Sequence, residues 1–237
     1  MGIHYIEDSE LQKIVEAIKA VNKMAEDETF SGADMAELIR SVKIFRLLFY
    51  TTDGNNLYEI TEEDLKGITY LRSYIFCNMD WLKKITIPET VTGWNNNLFN
   101  GCGNLEEVRL SSSMTGVGNS GFYGCKKLKK INVEKLTSVS DSGFRGCVEL
   151  EKLDFHKLKS IQVLAFNGCT KLSTLIIRRE ALCTLANINA LTGTPIANGT
   201  GFIYVPDNLV DYYKGAENWV TYANQIKPIS ELEEGAE

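Results

Sequence analysis

One phrase recurs along this chain: FNGCGNLEEVRL at 99–110, FYGCKKLKKINV at 122–133, FRGCVELEKLDF at 144–155 and FNGCTKLSTLII at 166–177. A weaker copy, FCNMDWLKKITI, precedes them at 76–87. The opening phenylalanines, Phe76, Phe99, Phe122, Phe144 and Phe166, stand 23, 23, 22 and 22 residues apart. A unit of this length cannot bury its own apolar face. It buries that face against the next copy, so the chain must coil as a solenoid whose turns pack on their neighbours.

The apolar columns fix what each turn contains. Leu82, Leu105, Leu128, Leu150 and Leu172 form one column, and Ile85, Val108, Ile131, Leu153 and Leu175 the next. Ile87, Leu110, Val133, Phe155 and Ile177 follow two residues later, which is the period of a strand with one face inward. The back of each turn has its own columns: Ile68, Val91, Met114, Leu136 and Leu158, then Leu71, Trp94, Val117, Val139 and Ile161. Leu57 and Ile60 read as a degenerate first rung. In the irregular last turn, ALTGTPIANGTGFIYVP at 190–206, Leu191 stands where a phenylalanine belongs, and Ile203, Val205 and Pro206 recover the strand.

A solenoid exposes an apolar end unless something covers it. At the back, Val210, Tyr213, Trp219, Tyr222 and Ile226 are spaced for short amphipathic helices, with ELEEGAE after them as a frayed acidic tail. At the front, Leu11, Ile14, Val15, Ile18 and Val21 recur at helical steps, with Ser9 as a cap, and a second helix could start after Ser31. The expected division is a helical segment at 1–42, a repeat region at 43–206, and a closing cap and tail at 207–237.

The repeat resembles the leucine-rich repeats of the bacterial BspA-like type, whose phrase runs F-x-x-C-x-x-L-x-x-I-x-I-P-x-x-V-x-x-I-x-x-x-A-F. The resemblance covers about residues 57–206. It departs from the phrase where the proline after the strand survives only at Pro88 and Pro206. The small residue before phenylalanine is Gly121, Gly143 and Ala165, but Ile75 and Leu98 elsewhere. The resemblance implies an α/β solenoid, a leucine-rich repeat right-handed superhelix of about six turns with short parallel strands. The closing G-T-P-I and I-Y-V-P strings look like those of gut Firmicutes proteins. TFSGADMAELI resembles helical openers in surface and tail-associated proteins of Firmicutes and their phages.

Composition narrows the function classes. With a net charge of −6 the chain lacks the overall basic character expected of a nucleic-acid binder, so no nucleic-acid partner is expected. MGIHYIEDSE is not a secretion leader, and Ile44 to Tyr50 is too short to span a bilayer. A cytoplasmic protein without membrane insertion is expected from the sequence as written, with a cell surface or phage particle reached by another route.

No cofactor, metal or catalytic residue is expected. Cys102, Cys125, Cys147 and Cys169 share one column, which reads as buried filler, while Cys77 and Cys183 lie off it and could be more exposed. No C-x-x-C pair exists. GVGNSG at 116–121 matches a dinucleotide-binding glycine string, but it sits in the back of a turn with no helix due after it. His4 is near the terminus and His156 follows a strand with no relay partner in its unit.

The residues between the inward columns form the candidate binding face on the concave sheet: Lys84, Thr86, Glu107, Arg109, Lys130, Asn132, Lys152, Asp154, His156 and Arg178, with Pro88, Ser111, Glu134, Thr174 and Ile176 completing three exposed ladders. Their alternating charges support the sheet through cross-strand pairs. They also offer a mixed-charge platform, without aromatic anchors, for a protein or a glycan. The resemblance implies a non-enzymatic interaction module, an adhesion or surface protein. The alternative is a structural or receptor-binding part of a phage or phage-like particle, with self-association through 1–42.

Overall fold

The computed structural model describes residues 59–62, 65 and 68–234, which belong to one unit, Tyr58–Glu237. The helical segment expected at 1–42 and the first-rung Leu57 lie outside the described residues. Strands alternate along the chain as β1 (Glu59–Ile60), β2 (Tyr70–Leu71), β3 (Lys84–Thr86), β4 (Gly93–Trp94), β5 (Glu107–Arg109), β6 (Gly116–Val117) and β7 (Lys130–Ile131). They continue as β8 (Ser138–Val139), β9 (Lys152–Phe155), β10 (Ser160–Ile161), β11 (Thr174–Ile177), β12 (Thr184–Leu185), β13 (Phe202–Val205) and β14 (Ile226–Pro228).

The odd-numbered strands and β14 build a main sheet, and the even-numbered strands before β14 an opposite one, all in parallel. The columns read from the sequence are the register partners: Ile60 with Ile85, Ile85 with Val108, and Val108 with Ile131. Further on, Leu153 pairs with Leu175, Leu175 with Ile203, and Ile203 with Ile226.

Between the sheets runs a stack of rings. Phe76, Phe99, Phe122, Phe144 and Phe166 lie nearly parallel, with neighbouring centroids 5.2, 5.2, 5.1 and 5.7 Å apart. All five are buried. Beside them, each column thiol donates its S–H to the phenylalanine carbonyl of the preceding rung: Cys102 to Phe76, Cys125 to Phe99, Cys147 to Phe122 and Cys169 to Phe144, at 2.9–3.1 Å. Phe99, Phe122 and Phe144 also accept the amide of the cysteine three residues on, as in Cys102 N–H to Phe99 O at 3.1 Å. Both lone pairs of these buried carbonyls are therefore used, which is what burial of a polar group demands.

The turn holding the thiols needs a left-handed residue just before each cysteine. Gly101, Gly124, Gly146 and Gly168 take φ of 71–77° there, and Asn78 fills the same place at 56°. A glycine here also lets neighbouring rungs approach: a Cβ on Gly146 would sit 3.7 Å from the Gly124 Cα.

Burial pushes the Cys102, Cys147 and Cys169 thiols upward, with Cys169 reaching about 12. Cys183, expected to be more exposed, is fully buried under the C-terminal cap, and burial raises it to about 12 as well. These thiols are neutral in the folded chain at pH 9, where unfolded cysteine is already substantially ionised. Their contribution is complete below the unfolded pKa and is lost as pH rises from about 9 toward 12. Urea midpoints measured across that range should fall, and Cys169→Ala should flatten the fall; an equally steep loss in the variant would refute the assignment.

Between Phe76 and Phe166 the rung length changes once. Three residues separate the main strand's last inward residue from the next back column in the 23-residue rungs, Pro88–Thr90 and Ser111–Ser113. Two do so in the 22-residue rungs, Glu134–Lys135 and His156–Lys157. The main sheet breaks between the two 22-residue rungs: β7 pairs backward with β5, β9 pairs forward with β11, and β7 and β9 are not paired. Just before the break, the Asn132 side chain inserts into the ladder. Its Oδ1 accepts the Leu110 N–H at 2.7 Å and its Nδ2 donates to the Leu110 carbonyl at 3.0 Å. The opposite sheet has its own gap between β4 and β6, bridged by the Trp94 indole donating to Gly116 O at 2.6 Å.

The last turn runs through a 3₁₀ segment, Ile188–Leu191, where Leu191 takes the phenylalanine place and Gly193, at φ 80°, the glycine place. Thr194 follows in the thiol place, buried, its hydroxyl donating to Leu191 O at 2.7 Å. The end of the solenoid is covered by α1 (Val210–Gly215) and a 3₁₀ segment, Trp219–Gln225. Trp219 Nε1 donates to Cys183 O at 2.7 Å, and Tyr213 Oη accepts the Cys183 N–H at 2.9 Å. Ile226, expected on a helix, lies instead in β14 and extends the main sheet. The start of the tail expected to fray is α2 (Ser230–Glu234), tied back by Lys227 Nζ to Glu231 at 2.8 Å.

Candidate binding face

Alternation in β3, β5, β9 and β11 turns the non-core residues away from the ring stack and onto one face of the main sheet. Lys84 Nζ lies 3.6 Å from Glu107, its register partner, so this pair is partly self-compensated. Thr86 pairs in register with the exposed Arg109, and Glu107 with the exposed Lys130. Lys152 is exposed at the equivalent place on β9.

Three of the expected ladder residues are not on the surface. Pro88 and Ser111 are buried, and the Ser111 hydroxyl donates to Val91 O at 2.6 Å, closing the longer back turn of the 23-residue rungs. Ile176 is fully buried although it stands between the outward positions of Asp154 and Tyr204, its two register partners. Asn132 uses one acceptor and one donor of its amide on the ladder, which fixes the side chain against the sheet.

The densest constellation is toward the C-terminal end. Arg178 grips Asp154 bidentately, Nε to Oδ1 at 2.8 Å and Nη2 to Oδ2 at 2.9 Å. His156 Nε2 stands 3.7 Å from the same Oδ1. The planar pair fixes both side chains and leaves them about one-third exposed, with the imidazole half exposed beside them.

Two rings that the sequence reading did not count complete this end. Phe202 pairs in register with Thr174, and Tyr204 with Ile176, so both project on the binding-face side of β13. Their centroids are 6.3 Å apart, edge to face, and Lys227 Nζ sits 4.5 Å over the Phe202 ring. The expectation that the face lacks aromatic residues is therefore corrected at its C-terminal end. The signal was present: Phe202 and Tyr204 alternate with the inward Ile203 and Val205.

The other sequence candidates find structural places. GVGNSG supplies β6 and a turn in which Ser120 takes φ 52°, and it leads into the Phe122 turn rather than a helix. The four column thiols stack as hydrogen-bond donors instead of converging. Among the described residues, no helix is long and apolar enough to cross a membrane.

Parallel strands repeated every 22–23 residues around a buried phenylalanine and leucine stack define a leucine-rich repeat solenoid. The profile of the BspA type leucine rich repeat region matches residues 43–182 in 6 copies, and the chain belongs to that family. Among solved structures it is similar to a leucine rich cell surface protein of Faecalibacterium prausnitzii A2-165, at 18% identity and TM-score 0.46, covering 74% of this chain and 48% of that one. It is also similar to a leucine-rich repeat protein of Bacteroides ovatus, at 22% identity and TM-score 0.39, covering 59% of this chain and 47% of that one. The chain thus spans about half the length of the solved structures it matches. No curated protein matches it.

Proposed function

We propose that the chain is a non-enzymatic interaction module that takes up a protein or a glycan on its main sheet, anchored by Asp154, His156, Arg178, Phe202, Tyr204 and Lys227. Membership of the repeat family supports an interaction or surface role. The observation that carries the location is the partly exposed Phe202–Tyr204 pair beside a fixed arginine–carboxylate fork. Aromatic and arginine side chains held rigid before binding are the usual anchors of an interface, because little rotamer freedom is lost on contact. Lys84, Thr86, Glu107, Arg109, Lys130 and Lys152 extend the same face toward the N-terminal rungs. In the same proposal residues 1–42 cap or dock, 43–206 form the repeats, and 207–237 form the closing cap and tail.

A screen of the chain against a glycan array and a panel of immobilised extracellular proteins supplies the ligand for the test. Tyr204→Ala and Arg178→Ala should each weaken the recovered binder about tenfold or more, with an unchanged circular-dichroism spectrum. Full affinity in both variants would remove this end of the sheet from consideration.

A further inference from the structure

Charge is not spread evenly along this acidic chain. Residues 68–182 hold sixteen Lys and Arg against ten Asp and Glu, a net of +6 within a chain whose total is −6. The excess is concentrated in the two 22-residue rungs, 122–165, with nine cations against five carboxylates. Lys130 and Lys152 open the main strands of these adjacent rungs, and Lys135 and Lys157 follow the ends of the same strands. All four are exposed, and none makes an ion pair among the described residues.

The local carboxylates do not offset them. Glu107 faces Lys84, Glu149 is taken by Lys171 at 2.9 Å and Lys129 at 4.0 Å, and Asp154 by Arg178. Glu134, Asp141 and Glu151 are the acids of these rungs left without an ion pair among the described residues. The Phe122 and Phe144 rings, at equivalent places of these two rungs, stand 5.1 Å apart, so each lysine pair sets like charges on adjacent turns, an arrangement that opposes strand association. These are also the rungs between which the main sheet is unpaired.

We infer that this seam is a binding band for an anionic polysaccharide, a carboxylated or sulfated chain laid across Lys130, Lys152, Lys135 and Lys157. A linear polyanion supplies successive negative groups to successive rungs and offsets the repulsion between them. Lys130–Ile131 and Lys152–Phe155 offer no outward aromatic ring for stacking a nucleobase, and the band has no helix to enter a groove. The one exposed ring of these rungs, Tyr123, lies in the phenylalanine turn under Arg145, 5.6 Å from its centroid. Nor has the band the apolar anchor that a protein partner would use. The inference specifies the repeat surface already assigned to binding, at residues distinct from the aromatic end.

The test measures binding of the full chain to dextran sulfate, polygalacturonate, neutral dextran and duplex DNA by biolayer interferometry at low and moderate salt. Either polyanionic glycan should bind, with affinity falling as salt rises, and neutral dextran should not. The combined Lys130→Gln, Lys135→Gln, Lys152→Gln and Lys157→Gln variant should lose at least tenfold, while Lys214→Gln keeps parental affinity. A melting curve guards against misfolding: the combined variant should melt at or above the parental temperature in low salt, because repulsion has been removed. No binding to either polyanion, undiminished binding in the combined variant, or equally tight binding to DNA overturns the inference. If Tyr204-dependent binding persists in that case, the general reading of the sheet stands without it.

Discussion

Truncating Phe122 to alanine should destabilise the solenoid by about 3–5 kcal/mol, the cost of deleting a fully buried ring and leaving the cavity. The ring is completely inaccessible, lies parallel to Phe99 and Phe144 at 5.2 and 5.1 Å, and meets Trp94 at 5.7 Å. Collapse cannot fill the space cheaply, because both neighbours are locked in the same stack. The loss is large beside a domain stability of about 5–15 kcal/mol. Coupling in a solenoid runs between nearest neighbours, so the damage should appear first in the adjoining rungs. Cys125 and Cys147, which donate to Phe99 O and Phe122 O, should become reactive toward a thiol reagent under native conditions. Urea titration with thiol labelling reads both effects, and Phe122→Leu should cost much less. A Phe122→Ala variant with the parental midpoint and protected thiols would show that the ring stack is not the core.

Trp219→Ala should have a comparable effect at the other end, about 3–5 kcal/mol. Trp219 is the large side chain that seals the last rung, 1% exposed, edge-on to Tyr213 at 5.3 Å. Its indole N–H also satisfies the Cys183 carbonyl, and Tyr213 accepts the amide of the same residue. One backbone unit of the solenoid is thereby clamped from both sides by the cap, and burial pushes the Tyr213 phenol upward. Removing the indole leaves a cavity and an unpaired buried carbonyl together. Hydrogen exchange should accelerate at residues 183–191, and the exposed apolar end should promote association in light scattering. Trp219→Phe keeps most of the packing and should lose only the hydrogen bond, about 0.5–1.5 kcal/mol. Unchanged exchange at 183–191 in Trp219→Ala would mean that the cap does not close the coil.

These two residues mark the range of what could be read in advance. The phenylalanine column is visible because every copy preserves its spacing to the leucine and isoleucine columns, and the register pairs follow the same alignment. The position of Trp219 among apolar residues after the last strand pointed to a cap, yet its bond to Cys183 did not, because two segments 36 residues apart meet only in the fold. Outward exposure on the main sheet was legible at Arg109, Lys130 and Lys152, where a single alternation decides it. That reading failed at Ile176, fully buried between the register partners Asp154 and Tyr204, and at Ser111, which the longer back turn draws inward to Val91 O. Phe202 and Tyr204 escaped notice because the insertion at 195–201 breaks the count, although the alternation within β13 places them. The change from 23 to 22 residues is plain in the sequence. That it coincides with an unpaired strand is a matter of backbone geometry, which no residue pattern encodes by itself.

The interruption between β7 and β9 has a consequence for how this coil would carry tension. On the main side, a pull along the stack passes from the first group of strands to the second without a backbone ladder to transmit it. There the load falls on the continuous β6–β8–β10–β12 pairing behind, on the amide bonds of the phenylalanine turns, and on the close-packed rings. At that level the molecule has a built-in flexure line on one side and a continuous β6–β8–β10–β12 ladder on the other, so stretching there should open it like a book rather than unzip it rung by rung.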